Sequence, residues 1–290
     1  MDQAIAYQPS DVIPLVGQRV ITARPFLKWV GGKARMLTEL KSRLPQKYNR
    51  YFEPFCGGAA LFFSLVPEKA TLSDANEELI VTYKVVRDQI DELIENLKRH
   101  KNNRRYFYKI RELDRRGDFW TFPAIERASR YIYLNKTCFN GLCRVNSDGQ
   151  FNVPYGMYKN PKILDEENLR ACSELLQGKE LIVGSFSQTL ADTKKGDLVY
   201  LDPPYIPLSV TSSFVSYAAE GFDYPMQVAL RDKCLELDKK GVNFMLTNSD
   251  TPLTRDLYQN FKIDSVASPR SVSADGSKRK AAQDVIVRNY

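Results

Sequence analysis

The residues best suited to chemistry are Asp202-Pro203-Pro204-Tyr205, which follow directly on the apolar run Leu198-Val-Tyr-Leu201. A strand there delivers the tetrapeptide to its C-terminal end, where open α/β sheets hold their ligands. Neither proline carries an N–H, so the ladder cannot continue and the chain must turn stiffly. The turn fixes a carboxylate and a phenol ring close together. That combination suits an exocyclic amine on a heterocycle, whose lone pair is delocalised into the ring and nucleophilically poor. Asp202 can accept one amino hydrogen and the Pro203 carbonyl the other, which favours a pyramidal nitrogen aimed at an electrophile. If the electrophile is already activated, positioning and electrostatics can do most of the work. Tyr205 offers a face for a base to stack on, worth roughly 1–3 kcal/mol. An ordinary strand-to-loop turn is the alternative for the tetrapeptide taken alone.

Two further motifs stand upstream. Phe55-Cys-Gly57-Gly58 follows a strand and opens a helix. Glycine there lets backbone approach a ligand closely, and a helix N-terminus favours a carboxylate. Asp74 ends the next apolar run, sixteen residues after Gly58. An acidic residue so placed can bind both ribose hydroxyls of a nucleoside; capping the following helix is its structural alternative. In Phe26-Leu-Lys-Trp29-Val-Gly-Gly-Lys33 the glycine pair makes a turn and Lys33 can reach an anionic group. The spacing is not that of a phosphate-binding loop.

The elements that must position these residues alternate in an α/β pattern. Strands are expected at 50–55, 70–74, 181–183, 198–201, 242–247 and 284–289, and helices opening near Ala59 and Glu77. Ile90, Leu93, Ile94 and Leu97 recur at helical spacing, and Pro225 can open a helix that Gly241 ends. Between 86 and 164 charge density rises and aromatics interleave, which reads as a mainly helical insert. The expected organisation is an N-terminal extension at 1–24, a catalytic and cofactor-binding domain at 25–85 and 165–290, and the insert between. Most aromatics of the insert are expected in its core.

Composition narrows the class. The chain has 290 residues, a formal net charge of +7 and a pI near 9.0, which fits a polyanionic partner. No run of apolar residues is long enough for a membrane span, and the N-terminus lacks an apolar signal core. Five cysteines without a C-x-x-C pair, and a single histidine, argue against a disulfide framework and a zinc site. Reduced, buried thiols in a cytoplasmic protein are expected.

Taken together, the ordered motifs resemble those of the α-class (D12 class) adenine-N6 DNA methyltransferases, in particular Dam-type enzymes and methylases of GATC restriction systems. The resemblance runs from about Pro25 to Tyr290. It implies a Rossmann-like mixed sheet with helices on both faces, plus a target-recognition insert. It implies S-adenosylmethionine as methyl donor and double-stranded DNA from which an adenine is flipped out; a monomer is expected, though the sequence does not settle the oligomeric state. Trp29, Lys33, Phe55, Gly57, Gly58, Asp74 and Asp202 would hold the cofactor, Lys33 at its carboxylate and Asp74 at its ribose. Ser185 and Phe186 would line its adenine. Asn135-Lys-Thr-Cys-Phe-Asn-Gly-Leu-Cys-Arg-Val-Asn146, continuing to Phe151-Asn-Val-Pro-Tyr-Gly156, is similar to the GATC-reading segment. Arg144 would read a guanine in a bidentate fork. Leu142 and Pro154 would pack on neighbouring bases, Phe139 and Asn140 would fill the space of the flipped adenine, and Lys28 would touch the first base pair.

Ala59 departs from the further glycine of many relatives, and the turn is expected to survive if the residue is helical. Pro269 to Lys280 resembles a basic loop of the family that contacts phosphates. Two other readings stand beside this one. Methylation of cytosine N4, RNA or protein glutamine more often goes with serine or asparagine in place of Asp202. A non-enzymatic DNA-binding module would be expected to lose the acidic, aromatic or glycine positions, which are present here except at Ala59.

Overall fold

The structure, a computed structural model, describes residues 21–207, 222–268 and 282–290. The expected basic loop at 269–280 and most of the N-terminal extension lie outside the described residues. The apolar runs form strands β1 (Tyr51–Glu53), β2 (Ala70–Asp74), β3 (Glu180–Val183), β4 (Leu198–Leu201), β5 (Asn243–Ser249), β6 (Lys262–Ser268) and β7 (Ala282–Arg288). They make one seven-stranded sheet in the order β3-β2-β1-β4-β5-β7-β6. β1 to β5 pair in parallel, and β7 runs antiparallel between β5 and β6. Strand order reverses between β1 and β4, which opens a crevice at their C-terminal ends.

Alternate residues of one strand enter different cores. Leu198 and Tyr200 belong to a cluster with Phe62, Leu79 and Leu176; Val199 and Leu201 belong to another with Leu230, Leu237 and Tyr258. The first cluster holds α1 (Leu37–Lys41), α2 (Ala60–Leu65), α3 (Glu77–Asp88), α4 (Ile90–Leu97), part of α6 (Ala124–Thr137) and α7 (Glu166–Leu176). The second holds α8 (Phe186–Thr189), α9 (Tyr224–Lys239) and α10 (Pro252–Leu257). All four residues of β4 are therefore buried, as a strand covered on both faces must be.

A third cluster of Phe107, Tyr133, Leu134, Cys138, Phe151 and Val153 joins α5 (Arg104–Arg111) and the end of α6 to the chain that follows. Of the insert's aromatics, Phe107, Phe119, Tyr131 and Tyr133 are buried, while Trp120 is 58% exposed beneath the guanidinium of Arg127. All five cysteines lie among the described residues and none forms a disulfide; burial pushes the Cys138 and Cys172 thiols up to about 12, which leaves those two inert.

Three local expectations need correction. β1 ends at Glu53 rather than Phe55, because Pro54 has no N–H to give the ladder. β6 and α7 were not foreseen. Ala59 is not helical: it caps α2 in the left-handed region, with φ 50° and ψ 42°. That conformation favours glycine and costs an L-residue roughly 1–2 kcal/mol. The turn survives because the strain is held by hydrogen bonds on both sides, Ala59 N–H to the Cys56 carbonyl and Phe63 N–H to the Ala59 carbonyl.

Candidate active site

Asp202 is the first residue beyond β4, at the reversal of strand order. Both its oxygens are fixed. Lys33 Nζ donates to Oδ2 at 2.6 Å, and the Thr247 hydroxyl donates to Oδ1 at 2.7 Å. Lys33 also donates to the Gly31 carbonyl and stands 4.8 Å from the centre of the Tyr205 ring. The structure thus gathers Lys33, Asp202 and Tyr205 from two distant segments. The lysine's side chain is 7% exposed and the carboxylate's 19%, so this ion pair is far better shielded than a surface bridge.

The turn after Asp202 is braced from beneath. Gln227 of α9 donates to the Pro204 carbonyl at 2.8 Å, and Asn248 of β5 accepts the Ile206 N–H at 2.9 Å. Gln227, Thr247 and Asn248 are almost fully buried, and sequence reasoning missed all three. Their signal was available: Thr247-Asn248-Ser249 is a polar ending on an otherwise apolar strand, beside the switch point.

The β1–α2 turn meets Trp29. Gly57 has φ 44°, and a Cβ there would lie 2.3 Å from the indole Nε1. A Cβ on Gly58 would lie 3.1 Å from the Trp29 Cβ. The neighbour these glycines admit is therefore the indole, where a ligand was expected. The Gly57 N–H donates to Asp74 Oδ2 at 3.1 Å and the Asn76 N–H to Oδ1 at 3.0 Å. Asn76, not Asp74, caps α3, accepting the Leu79 N–H. Burial raises the pKa of Asp74, opposed by the N–H groups of Asn76, Gly57 and Ala75. A carboxylate accepts about four hydrogen bonds, so capacity remains for a ribose hydroxyl.

Phe55 stacks on Phe186 with centroids 5.6 Å apart, and Phe222 meets both rings edge-on. Ser185 caps α8 in a reciprocal arrangement with Gln188, so its hydroxyl is engaged locally. Ile182 and Val183 at the end of β3 are 36% and 42% exposed, and Val183 is the register partner of Asp74. This apolar ledge beside an acidic residue was also missed. Beneath the turn, Glu53 is buried at 2% exposure and accepts from the Tyr51 hydroxyl at 2.7 Å. Burial, reinforced by the charge of Asp202 and opposed by Tyr51 and Lys33, raises its pKa to about 8.

The segment after α6 forms an irregular ribbon. Cys138 bridges Tyr155, Val145 bridges Phe151, and the Phe139 N–H reaches the Pro154 carbonyl at 2.9 Å. Phe139 is 51% exposed, and Asn140, Arg144 and Pro154 are exposed with it. Arg144 Nε donates to Asn152 at 2.8 Å, which leaves its terminal nitrogens outermost. Leu142 is half-buried against the Phe107–Tyr133 cluster. Lys28 is exposed, with its ammonium 4.1 Å from the centre of the Tyr158 ring. The ribbon is anchored by Asp114, which accepts the Phe151 N–H at 2.7 Å and pairs with Arg130 and Arg115.

An α/β sheet of this order and polarity, with acidic residues closing β2 and β4 around the strand reversal, has the architecture of the S-adenosylmethionine-dependent methyltransferase fold. The family model of D12 class N6 adenine-specific DNA methyltransferases matches residues 29–272, and the chain belongs to that family. It is 46% identical over 280 residues to the Type II methyltransferase M1.LlaDCHI of Lactococcus lactis subsp. cremoris, spanning 95% of this chain and 99% of that one. It is 36% identical over 269 residues to the DNA adenine methylase of Haemophilus influenzae, spanning 91% and 92%. The DNA adenine methylase of Escherichia coli K12 is 33% identical over 267 residues, spanning 91% and 94%. Adenine in DNA is thus the methylated base, and the readings as a non-enzymatic module or as a methylase of other amino groups fall away.

Proposed function

We propose that this enzyme transfers a methyl group from S-adenosylmethionine to N6 of an adenine flipped out of duplex DNA, within the sequence GATC. The observation that carries the reading is the carboxylate of Asp202, held by Lys33 and Thr247 at the strand reversal, with Tyr205 alongside. The residues present fit the cofactor. Asp74 keeps acceptor capacity for a ribose hydroxyl, Lys33 supplies a cation for a carboxylate, and Ile182, Val183 and Phe186 supply apolar surface for a base. Phe55 backs Phe186, and Trp29 keeps the Gly57-Gly58 turn in place. Ser185 borders that surface. The cofactor supplies a methyl group on sulfonium, already activated for transfer.

The protein's part is positioning. Asp202 and the Pro203 carbonyl accept the two N6 hydrogens, and Asp202 stabilises the positive charge that grows on nitrogen. Pro204 keeps the turn rigid, and Tyr205 stacks on the extruded adenine. In the duplex, Arg144 reads a guanine, with its fork oriented by Asn152. Phe139 and Asn140 occupy the gap in the stack, Pro154 and Leu142 pack on bases, and Lys28 meets the first pair. The likeness of residues 135–146 and 151–156 to a GATC-reading segment supports GATC, and relatives are named DNA adenine methylases.

Plasmid methylation followed by sequencing of modified adenines tests both claims. Asp202→Ala is expected to abolish transfer while the protein remains folded, and the unsubstituted enzyme to mark GATC. Near-normal turnover by the variant would refute the mechanism, and modification at another sequence would refute the specificity.

A further inference from the structure

Asn135 lies in the last turn of α6, is 1% exposed, and opens the segment similar to a GATC-reading one without being assigned a contact with cofactor or base. Its amide is used on both edges. Oδ1 accepts the Lys28 N–H at 2.8 Å, while Nδ2 donates to the Lys28 carbonyl at 2.7 Å and to the Gly141 carbonyl at 3.1 Å. The side chain thus pairs with Lys28 as a neighbouring strand would, and its third bond reaches the turn that presents Phe139 and Asn140. The two segments are in direct contact there. Gly141 has φ 65°, and a Cβ on it would lie 2.5 Å from the Lys28 Cβ. Tyr158 closes the same junction, accepting the Asn140 N–H at 3.0 Å beneath the Lys28 ammonium.

Lys28 immediately precedes Trp29, whose indole fills the space above Gly57, and lies five positions before Lys33, which holds Asp202. A continuous path therefore runs from the base-reading turn through one buried amide to both the cofactor turn and the catalytic carboxylate. Asparagine offers a donor edge and an acceptor edge together on the shortest stem; glutamine carries the same amide one methylene further out. A shift of either segment would leave buried backbone groups of the other unpaired, which is costly.

Resting on the proposed function, we infer that Asn135 is a positioning residue that couples the cofactor site to DNA reading. Occupancy of one site orders the Lys28–Gly141 junction and favours occupancy of the other, and the coupling is reciprocal.

The test measures the Kd of a duplex containing GATC with and without S-adenosylhomocysteine. In the unsubstituted enzyme the product cofactor is expected to tighten duplex binding by about fivefold or more. Asn135→Asp keeps the shape but turns an acceptor toward two carbonyls, and the ratio is expected to collapse toward one. Tyr158→Phe lowers duplex affinity with the ratio preserved, because the Asn135 amide remains. A second measurement needs no variant. S-adenosylhomocysteine alone is expected to slow amide hydrogen exchange in residues 139–144, which are assigned no cofactor contact. A ratio near one in the unsubstituted enzyme, a ratio preserved in folded Asn135→Asp, or unchanged exchange at 139–144 overturns the coupling. Failure of the unsubstituted enzyme to bind duplex or cofactor at all would instead overturn the proposed function.

Discussion

Replacing Asp114 by asparagine tests how the ribbon that follows α6 is held. Asp114 and Arg130 are each 6% exposed and meet at 2.7 Å, and Arg130 also donates to the carbonyls of Ile110 and Arg111. Asparagine keeps one oxygen for the Phe151 N–H but removes the charge that two guanidiniums share. Loss of the buried partner costs roughly 3–5 kcal/mol, because the arginine's charge stays behind in a shielded place. The two carbonyls that still hold Arg130 put the expected value at the lower end, about 3 kcal/mol. The contact with Arg115, whose side chain is 26% exposed, adds at most about 1 kcal/mol. A total of about 3–4 kcal/mol is a large share of the stability of an ordinary domain. For a chain of 290 residues it corresponds to a fall in Tm of roughly 5–7 °C. Denaturant and thermal unfolding of the two proteins give the difference directly. It should persist in high salt, since a buried pair is weakly screened. A loss below about 1 kcal/mol, or one that vanishes with salt, would show that Asp114 is no anchor and that the ribbon is held by its apolar contacts alone.

Two other substitutions probe the site. Glu53→Gln tests the buried carboxyl, whose pKa is raised to about 8 in the folded protein and lies near 4.5 when unfolded. Across that window the folded chain keeps a proton that the unfolded chain has lost, so stability falls as pH rises, by up to about 1.4 kcal/mol per unit. Denaturation of the cofactor-free protein between these pH values is expected to show that slope relative to Glu53→Gln; parallel profiles would exclude the raised pKa. Arg144→Ala is expected to relax discrimination at one guanine by roughly 1–3 kcal/mol, read from methylation rates on duplexes substituted at single positions. An unchanged preference would remove Arg144 from base reading.

Much of the framework was legible because it is written in short-range terms. Strands β2, β4 and β5 are apolar runs bounded by turn residues, and Pro225 and Gly241 bracket α9 as proline and glycine ordinarily do. β6 escaped notice because its burial follows no alternation: of Lys262 to Ala267 only Val266 is buried, as befits an edge strand recognised by its partner. α7 should have been seen, since Leu169, Cys172 and Leu176 recur on one helical face. The role of Gly57 was legible only in part. Its freedom of backbone was expected, but the indole it accommodates comes from a segment before β1.

What the amino-acid order determined on its own is the local geometry at the centre: a double proline that stops β4 and turns a carboxylate and a phenol outward, and an acidic residue at the end of β2. Those follow from which residues lack an N–H and where apolar runs end. Tertiary structure alone decided who meets whom. Lys33 and Asp202 lie 169 positions apart, Thr247 and Asp202 45, and Asn135 and Lys28 107. No periodicity reaches across such intervals. Thr247 meets Asp202 because the parallel register of β4 and β5 sets their C-terminal ends side by side, while the other two pairs join segments that lie outside the sheet. Burial there leaves each polar group only the partners that packing supplies.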